Sequence, residues 1–299
     1  RMTTQQAAKV GVIGGTSLYE MDGLVDVREG AIETPFGDPS DVITVGVLDG
    51  TGIAFLPRHG RGHRFLPSEI PVRANIHAMK QLGVERLISI SAVGSLQEHV
   101  APLDMIVPDQ LIDRTRLREH TFFGDGLVGH IAFGDPFCPV LSDLLATAAD
   151  DTEAKVHRGG TYVVMEGPAF STRAESELYR SWGASIIGMT ALPEAKLARE
   201  AEMCYTVLGM ATDYDVWHAT HDDVSVDMIL QNLSKNVAVS KQALRRLIPR
   251  LHIPRACVCE SALATALVTP RDLVPPATLE RLGPIVSRYM STGDKETAP

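Results

Sequence analysis

Two acidic side chains are spaced so that they can act together. Asp213 and Asp215 stand two residues apart, directly after the apolar segment 205–210. Residues i and i+2 of an extended chain project to the same side, so both carboxylates can face one ligand. Acidic clusters after strands also form turns. A Mg²⁺ site is a further alternative, but no other acidic residue is spaced to complete an octahedral set of ligands.

A second group of residues could bind an anion. Arg58 and His59 stand in PRHGRGH after the apolar segment 53–56, where arginine offers a planar fork of donors and histidine one hydrogen bond. Thr16 follows two glycines in IGGTS, and glycines let backbone N–H groups approach an anion closely. The ordinary alternatives are a solvated basic loop for the first motif and a tight turn for the second.

Three more loops carry hydroxyl or aromatic side chains at the ends of predicted strands. Ser91 in SISAVGS has the position at which open α/β sheets bind ligands, although small residues there also permit close packing. Thr190 in GMTALPE could cap a helix or bind an anion. Phe170 in MEGPAFSTR could stack on a heterocycle or cover the core. Their coincidence with the two acids favours one ligand site.

The elements that must position these residues alternate along the chain. Short apolar segments typical of buried strands occupy residues 10–13, 43–47, 87–90, 105–107, 161–165, 186–187 and 205–208. Helical spacing occurs over residues 72–82, 140–149, 172–182 and 279–289, and in a long segment that starts at Val226. Thr172 and Glu175 form the pattern of a capping box. The alternation predicts an α/β fold with a largely parallel sheet covered on both faces.

Composition and charge bound the function. The 299 residues carry 28 Lys and Arg against 37 Asp and Glu, a net charge of −9 that disfavours nucleic acid as a partner. We find no apolar run long enough for a membrane span and no secretory signal, so we expect a cytoplasmic protein. No Ser/Gly-rich linker divides the chain, which predicts a single domain over residues 1–299, with a core at about 9–251 and a C-terminal extension at 252–299.

The cysteines are too sparse for a disulfide scaffold. No histidine pair at zinc-finger spacing accompanies them. We therefore expect ordinary reduced thiols and no metal site. The four cysteines are Cys138, Cys204, Cys257 and Cys259.

Taken together and in order, the motifs resemble those of the trimeric purine nucleoside phosphorylases, and within that family the 5′-methylthioadenosine phosphorylases. The resemblance spans about residues 10–251 and rests on IGGTSL, TPFGDPSD, RHGRGHRFLPSEI, RANIHAMK, DQLIDRT, DPFCP, EGPAFSTRAES, MTALPE and ATDYDVW. It implies a single α/β domain with a mixed, partly barrel-like central sheet flanked by helices. It also implies a pentosyltransferase that is a homotrimer with active sites near the subunit interfaces.

The resemblance assigns roles by position. Its phosphate ligands would be Thr16, Arg58, His59, Ser91, Ala92 and Thr190. Phe170 would stack on the purine, Met189 would border the ribose, and Asp213 and Asp215 would face the base. The methylthio slot would consist of Val226, Ile229 and Leu230, completed by His130 of a neighbouring subunit. Phosphate would be a co-substrate, with no cofactor.

Three departures from the family pattern stand out. Ser91 replaces the usual Thr and keeps the hydroxyl, whereas Ala169 replaces the usual Arg and removes a charge near Phe170. After residue 250 the match to the animal enzymes lapses. The Cys257-Val-Cys259 stretch looks more like the archaeal members, in which cysteines can pair. Whether Cys138 bonds with Cys204, or Cys257 with Cys259, stays open.

The residue types suit the implied reaction, reversible phosphorolysis of 5′-methylthioadenosine to adenine and 5-methylthioribose 1-phosphate. An ionised carboxylate only accepts hydrogen bonds, so it binds N7 once N7 acquires a proton in the transition state. We assign Asp213 to N7 and Asp215 to the 6-amino group, although the two could be exchanged. A 6-oxo group would be repelled, which favours adenine.

Three alternatives remain. One is a purine nucleoside phosphorylase for adenosine or 6-oxopurine nucleosides. Another is a hydrolytic nucleosidase, disfavoured by Arg58 and His59. The third is a nucleoside-binding subunit without catalysis.

Overall fold

Six helices surround an eleven-stranded sheet in the part of the chain that the computed structural model describes, residues 8–15, 18, 20–218 and 225–290. The strands are β1 (Val10–Gly14), β2 (Val25–Gly30), β3 (Ile43–Leu48), β4 (Thr51–Pro57), β5 (Arg86–Ser95), β6 (Met105–Val107), β7 (Gln110–Arg114), β8 (Val156–Arg158), β9 (Thr161–Met165), β10 (Ile186–Gly188) and β11 (Cys204–Asp213). The helices are α1 (Val72–Gln81), α2 (Pro139–Asp150), α3 (Arg173–Ser181), α4 (Ala191–Glu200), α5 (Val226–Leu247) and α6 (Pro276–Met290).

The sheet branches at β5. Its main path runs β2-β3-β4-β1-β5-β10-β9-β7, while β11 also pairs with β5 and leads on to β6 and β8. Two strands share one side of β5, because its pairing with β1 ends at Ser89 and its pairing with β10 begins at Gly94. Six of the ten strand pairs in the described residues are parallel and four antiparallel. The predicted mixed sheet is therefore confirmed.

The burial of β11 shows how the sheet forms a core on each face. Tyr205 and Val207 face one cluster of buried side chains, whereas Leu208 and Met210 face another. Helices α1, α4 and α6 cover the first face, and α2 and α5 cover the second. A strand buried on both faces has an apolar sequence rather than an alternating one, which is why segment 205–208 was recognisable.

The local predictions hold where a buried face or a cap marks the sequence. The capping box is present: the Glu175 N–H donates to Thr172 Oγ1 at 3.2 Å, and the Thr172 N–H donates to Glu175 Oε2 at 2.8 Å. The sequence analysis missed β2, which is exposed along its length and so lacks a buried periodicity. The helix expected after Thr190 is present as α4, although it contains Pro193 and a non-helical Leu192.

The C-terminal residues pack on the same core as the rest. Leu263, Leu282 and Val286 lie in the cluster that also contains α1 and α4. This packing supports one domain, while the boundary at residues 251/252 stays a prediction. None of the helices in the described ranges has the length and apolar character needed to cross a bilayer.

Candidate active site

The carboxyl ends of the parallel strands bring the candidate residues to one edge of the sheet. Gly14 at the end of β1 is in register with Pro57 at the end of β4, so Arg58 and His59 follow at that edge. Met210 of β11 is in register with Ala92 of β5. Thr16, a predicted phosphate ligand, lies outside the described residues.

A gap in the sheet lies beside Ser91 and Ala92. Between Ser89 and Gly94, β5 pairs with β11 on one side, whereas neither β1 nor β10 pairs with it on the other. Ligands of open α/β sheets bind where neighbouring strands diverge in this way, because backbone groups there can reach a ligand. The predicted anion-binding residues of β5 are thus in a suitable place.

The hydroxyl groups of Ser91 and Thr190 meet at this gap. Their oxygens are 3.0 Å apart, and Ser89 Oγ is 3.4 Å from Ser91 Oγ. Thr190 has the N-cap position of α4 but makes no side-chain capping hydrogen bond. The alternative of a helix cap is therefore wrong for Thr190, whose hydroxyl hydrogen-bonds with Ser91 instead.

Arg58 is buried in an ion pair that the sequence analysis did not predict. Its Nε donates to Glu194 Oε1 at 2.5 Å, and the Tyr205 hydroxyl donates to Glu194 Oε2 at 2.9 Å. Burial acts to lower the pKa of Arg58, but the Glu194 carboxylate outweighs it and raises the pKa. Arg58 therefore stays charged and ties β1, β5 and α4 together. Its other N–H groups donate to Ile13 O, Ile90 O and Ser89 Oγ.

His59 has a defined tautomer. Its Nδ1 lies 2.9 Å from Phe65 O, and because a carbonyl oxygen only accepts, Nδ1 carries the hydrogen. The ring stacks on His63 with 4.2 Å between centroids. Burial lowers the pKa of His59 to about 4, although the hydrogen bond to Phe65 acts in the opposite direction. Neutral His59 thus presents an acceptor at Nε2, which can bind the protonated oxygen of hydrogen phosphate.

Asp213 is fixed by hydrogen bonds at the end of β11. Its Oδ1 accepts from the Asp215 N–H at 2.8 Å, and its Oδ2 accepts from the Thr212 hydroxyl at 2.6 Å. A Cβ on Gly94 would lie 2.9 Å from Asp213 Oδ1, so a glycine lets the carboxylate approach β5. The ladder contains one extra residue here, since Ala211 pairs with Val93 but Asp213 with Gly94.

Asp215 has an unsatisfied carboxylate oxygen. It is buried, and its Oδ2 makes no hydrogen bond among the described residues, although the nearby hydroxyl groups of Ser176 and Ser171 act to lower its pKa. Its φ of +53° is a strained backbone conformation of the kind that clusters at functional sites. Burial raises the pKa of both Asp213 and Asp215 above the ordinary value. The predicted turn is present, but a buried acceptor without a donor indicates a missing ligand group.

Phe170 and Met189 lie on neighbouring loops. Phe170 is exposed, as a stacking residue must be before its ligand binds. A Cβ on Gly167 would lie 2.5 Å from Met189 Sδ, and Gly167 also has a φ of +69°. Only glycine fits there without displacing Met189.

Arg118 holds both loops, and no motif pointed to it. Its guanidinium donates to Met189 O at 2.5 Å, to Glu166 O at 2.7 Å and to Glu166 Oε1 at 2.9 Å. Although burial opposes it, hydrogen bonds from Arg116 and Arg118 lower the pKa of Glu166. Arg118 is therefore a positioning residue for the loops that carry Phe170 and Met189.

The predicted methylthio slot lies in the first turn of α5. Val226 and Leu230 are 60% and 56% exposed, and Ile229 is half-buried. The Asn232 side chain donates to Thr212 O at 2.7 Å, which fixes this turn beside the end of β11. An apolar surface therefore stands next to the acids.

His130 lies elsewhere in the chain. It lines a surface cavity together with Thr121 and Glu200, at the C-terminal end of α4. Thr190 is at the other end of that ten-residue helix, about 15 Å away along its axis. The structure does not bring His130 together with the other candidates within one chain, so any contribution to this site would have to come from a second chain, as the resemblance implies.

Residues 9–249 match the sequence model of the family described as the phosphorylase superfamily. The chain belongs to this superfamily. The partners of this chain are therefore a small molecule and phosphate, as for a phosphorylase of this superfamily. The acids, the hydroxyl pair and the gap in the sheet belong to the matched residues.

Its similarity to named superfamily members extends over nearly the whole chain. A protein from Geobacter sulfurreducens named S-methyl-5′-thioadenosine phosphorylase is 58% identical over 282 residues, which cover 94% of this chain and 99% of the relative. A crystal structure of methylthioadenosine phosphorylase from an antarctic soil metagenomic library matches with a TM-score of 0.90 and 48% identity, covering 94% of this chain and 99% of that one. Methylthioadenosine phosphorylase from Schistosoma mansoni in complex with adenine matches with a TM-score of 0.80 and 33% identity, covering 86% and 98%.

Glu200, beside His130, predicts a pH dependence of stability. Its carboxylate accepts from the Thr121 hydroxyl and the Phe122 N–H, both at 2.7 Å, yet burial raises its pKa from 4.5 to about 7. Stability from the protonated folded form is complete below about pH 4.5 and is lost as the pH rises through about 7. We expect the melting temperature of the wild type to fall between about pH 5 and pH 8 by more than that of Glu200→Gln.

Thermal unfolding followed by circular dichroism checks this expectation. Glu177→Gln is the matched control, because Glu177 is exposed on α3. Parallel pH curves for the wild type and Glu200→Gln would refute the assignment of this titration to Glu200.

Proposed function

We propose that this protein catalyses the reversible phosphorolysis of 5′-methylthioadenosine to adenine and 5-methylthioribose 1-phosphate. The observation that carries the proposal is the buried, unpartnered Oδ2 of Asp215 beside the fixed carboxylate of Asp213. Such an acceptor requires a donor, and the 6-amino group of adenine supplies one in every protonation state of the ring nitrogens. The names of the close relatives support the same substrate.

Asp213 acts on N7 in this proposal. The hydrogen bonds from Thr212 and Asp215 fix its orientation before the substrate arrives. As the glycosidic bond breaks, N7 gains a proton and becomes a donor, so the carboxylate binds the transition state better than the substrate. The raised pKa of Asp213 supports this role, because a more basic carboxylate accepts a stronger hydrogen bond.

Phosphate binds at the gap beside β5. The hydroxyl groups of Ser91 and Thr190 donate to its oxygens, together with the backbone N–H of Ala92. Nε2 of His59 accepts from its protonated oxygen, and Arg58, which is paired with Glu194, is a phosphate ligand by the family resemblance alone. Thr16 completes the set by the family resemblance. Holding the anion in place lowers the barrier by several kcal/mol, about 7 in favourable cases.

The 5′ end of the substrate has an apolar neighbour. Val226, Ile229 and Leu230 take the methylthio group, and His130 of a second chain closes the slot. Phe170 stacks on the purine and Met189 borders the ribose. A homotrimer, a cytoplasmic location, and a reaction that needs phosphate but no cofactor complete the proposal.

One ultraviolet assay tests the proposal directly. We expect adenine release from 5′-methylthioadenosine when inorganic phosphate is present, and none above background when phosphate is removed by dialysis. Adenosine should react more slowly, because its 5′-hydroxyl lacks apolar contacts, and inosine slowest of all. Adenine release without phosphate would indicate a hydrolase. Faster turnover of inosine than of 5′-methylthioadenosine would indicate an enzyme for 6-oxopurines, and no adenine release at all would indicate a binding protein.

A further inference from the structure

All four cysteines of the chain meet at one place. Their Sγ atoms lie within 4.8 Å of one another, and Cys204 Sγ and Cys257 Sγ are 3.3 Å apart. No pair of them is bonded as a disulfide in the structure. Ordinary reduced thiols were predicted from the sequence, because the cysteines are too sparse for a disulfide scaffold and lack a histidine pair at zinc-finger spacing. Three distant segments supply them: the residue before α2, the first residue of β11, and the C-terminal segment 257–259.

The four sulfurs form one cluster rather than two separate pairs. Cys138 interacts with each of the other three sulfurs, and Cys259 interacts with Cys138, Cys204 and Cys257. Cys138, Cys204 and Cys259 are almost completely buried, whereas Cys257 is partly exposed. Four sulfurs that all face one point indicate a single occupant at the centre, which could enter past Cys257.

The distances fit a tetrahedral metal ion. Zinc binds thiolates at about 2.3 Å, which places the sulfurs of a tetrahedral site about 3.8 Å apart. Cys204 and Cys257 would have to separate from 3.3 Å, and pairs as far apart as 4.8 Å would have to approach by about 1 Å, to reach this geometry. A set of four cysteine ligands, which leaves no coordination position for water, is typical of a structural zinc site.

The surroundings suit the negative charge of four thiolates around one Zn²⁺. Arg86 is in register with Cys204 across the β5–β11 ladder, and its Nη2 donates to Ile253 O at 2.5 Å. Arg255, which stands two residues before Cys257, donates to Glu202 O at 2.7 Å. Cys138 has the N-cap position of α2, so its side chain lies at the N-terminus of that helix, without a capping hydrogen bond. The positive end of the α2 dipole, with Arg86 on the neighbouring strand, therefore acts against the charge.

We propose that Cys138, Cys204, Cys257 and Cys259 bind one structural Zn²⁺. Four Zn–S bonds form, the four thiol protons and the water ligands of the ion leave to solvent, and no atom changes oxidation state. The ion ties the C-terminal segment to the start of β11 and to α2. Asp213 is at the other end of the ten-residue β11, about 30 Å away, so the ion stabilises the fold and takes no part in the reaction.

The first test is metal content. The full-length chain, purified under reducing conditions without chelators, should contain about one zinc per chain by inductively coupled plasma mass spectrometry. Co²⁺ added to chain freed of metal should give the visible absorption and thiolate charge-transfer bands of a tetrahedral tetrathiolate site. Chain without metal should unfold at a lower temperature than the zinc-loaded chain.

The second test uses a pair of adjacent variants. Cys257→Ser removes the most exposed ligand and should weaken zinc binding by more than about 100-fold, since even outer partners of zinc ligands contribute roughly 10–100-fold. Val258→Ser is the matched control, because Val258 is 72% exposed and lies between the two cysteines of that segment. It should retain one zinc per chain.

Three results would overturn the proposal. One is a reduced chain that binds neither zinc nor cobalt. Another is a chain in which thiol titration under denaturing conditions finds the cysteines joined in two disulfides without metal. The last is a Cys257→Ser variant with the zinc content and affinity of the wild type.

Discussion

Asp213→Asn is expected to lower kcat for 5′-methylthioadenosine by about 10²–10⁴-fold, the usual range for a group that handles a proton in the transition state. An amide oxygen is too weak an acceptor to stabilise protonated N7. The amide NH₂ group can donate to N7 only while N7 is unprotonated, as it is in the neutral substrate. Because that contact arises mainly in the transition state, KM should change far less than kcat. Steady-state adenine release at saturating phosphate measures both.

Asp215→Asn provides the comparison within the site. It should lower the preference for 5′-methylthioadenosine over the corresponding 6-oxo nucleoside, since an amide donates to a 6-oxo group as readily as it accepts from a 6-amino group. Asp143→Asn on the exposed surface is the control for the substitution itself. Equal kcat values for Asp213→Asn and Asp143→Asn would rule out Asp213 as the residue that acts on N7.

Glu194→Ala is expected to lower the free energy of unfolding by about 3–5 kcal/mol, because it leaves the Arg58 guanidinium buried without its counter-charge. Both side chains are almost fully buried, and the Tyr205 hydroxyl loses its acceptor as well. Glu29→Ala is the control: its pair with Arg61 is on the surface, and loss of such a pair costs about 0–1 kcal/mol. Urea unfolding at equilibrium, followed by tryptophan fluorescence, compares the two.

The double variant Arg58→Met/Glu194→Leu separates an unpaired charge from lost packing. Removing both charges with side chains of similar volume should restore much of the stability that Glu194→Ala loses. If Glu194→Ala costs no more than Glu29→Ala, the buried ion pair does not organise the site.

The sequence predicted the elements better than their long-range contacts. The buried strand in β11 and the capping box before α3 are local patterns, so each was recognisable from a few residues. Ser91 and Thr190 were both predicted to bind one anion, and their hydroxyl groups do meet, although Ser91 lies within β5 rather than after it. In contrast, Glu194 is far from Arg58 along the chain, and only the packing of α4 against β11 brings the two together.

Arg118 and the cysteine cluster were missed for the same reason. Arg118 donates to the backbone carbonyl groups of two loops. Every residue type has such a carbonyl, so the sequence does not indicate which ones Arg118 binds. The cysteines come from three segments that adjoin only because β11 begins where α2 and the C-terminal segment pack. Spacing along the chain could not reveal either arrangement.

The extra residue in β11 has a consequence for comparing chains of this kind. The bulge places Thr212 between the regular pairs Ala211–Val93 and Asp213–Gly94, and the hydroxyl of this extra residue donates to Asp213 Oδ2. Deleting Thr212 would leave both acids in the sequence and remove one of the two hydrogen bonds that fix the first. A homologue with a one-residue gap at this point would thus keep the fold and both acids, yet bind the nucleobase less well. An alignment that only counts the aspartates would not detect this loss.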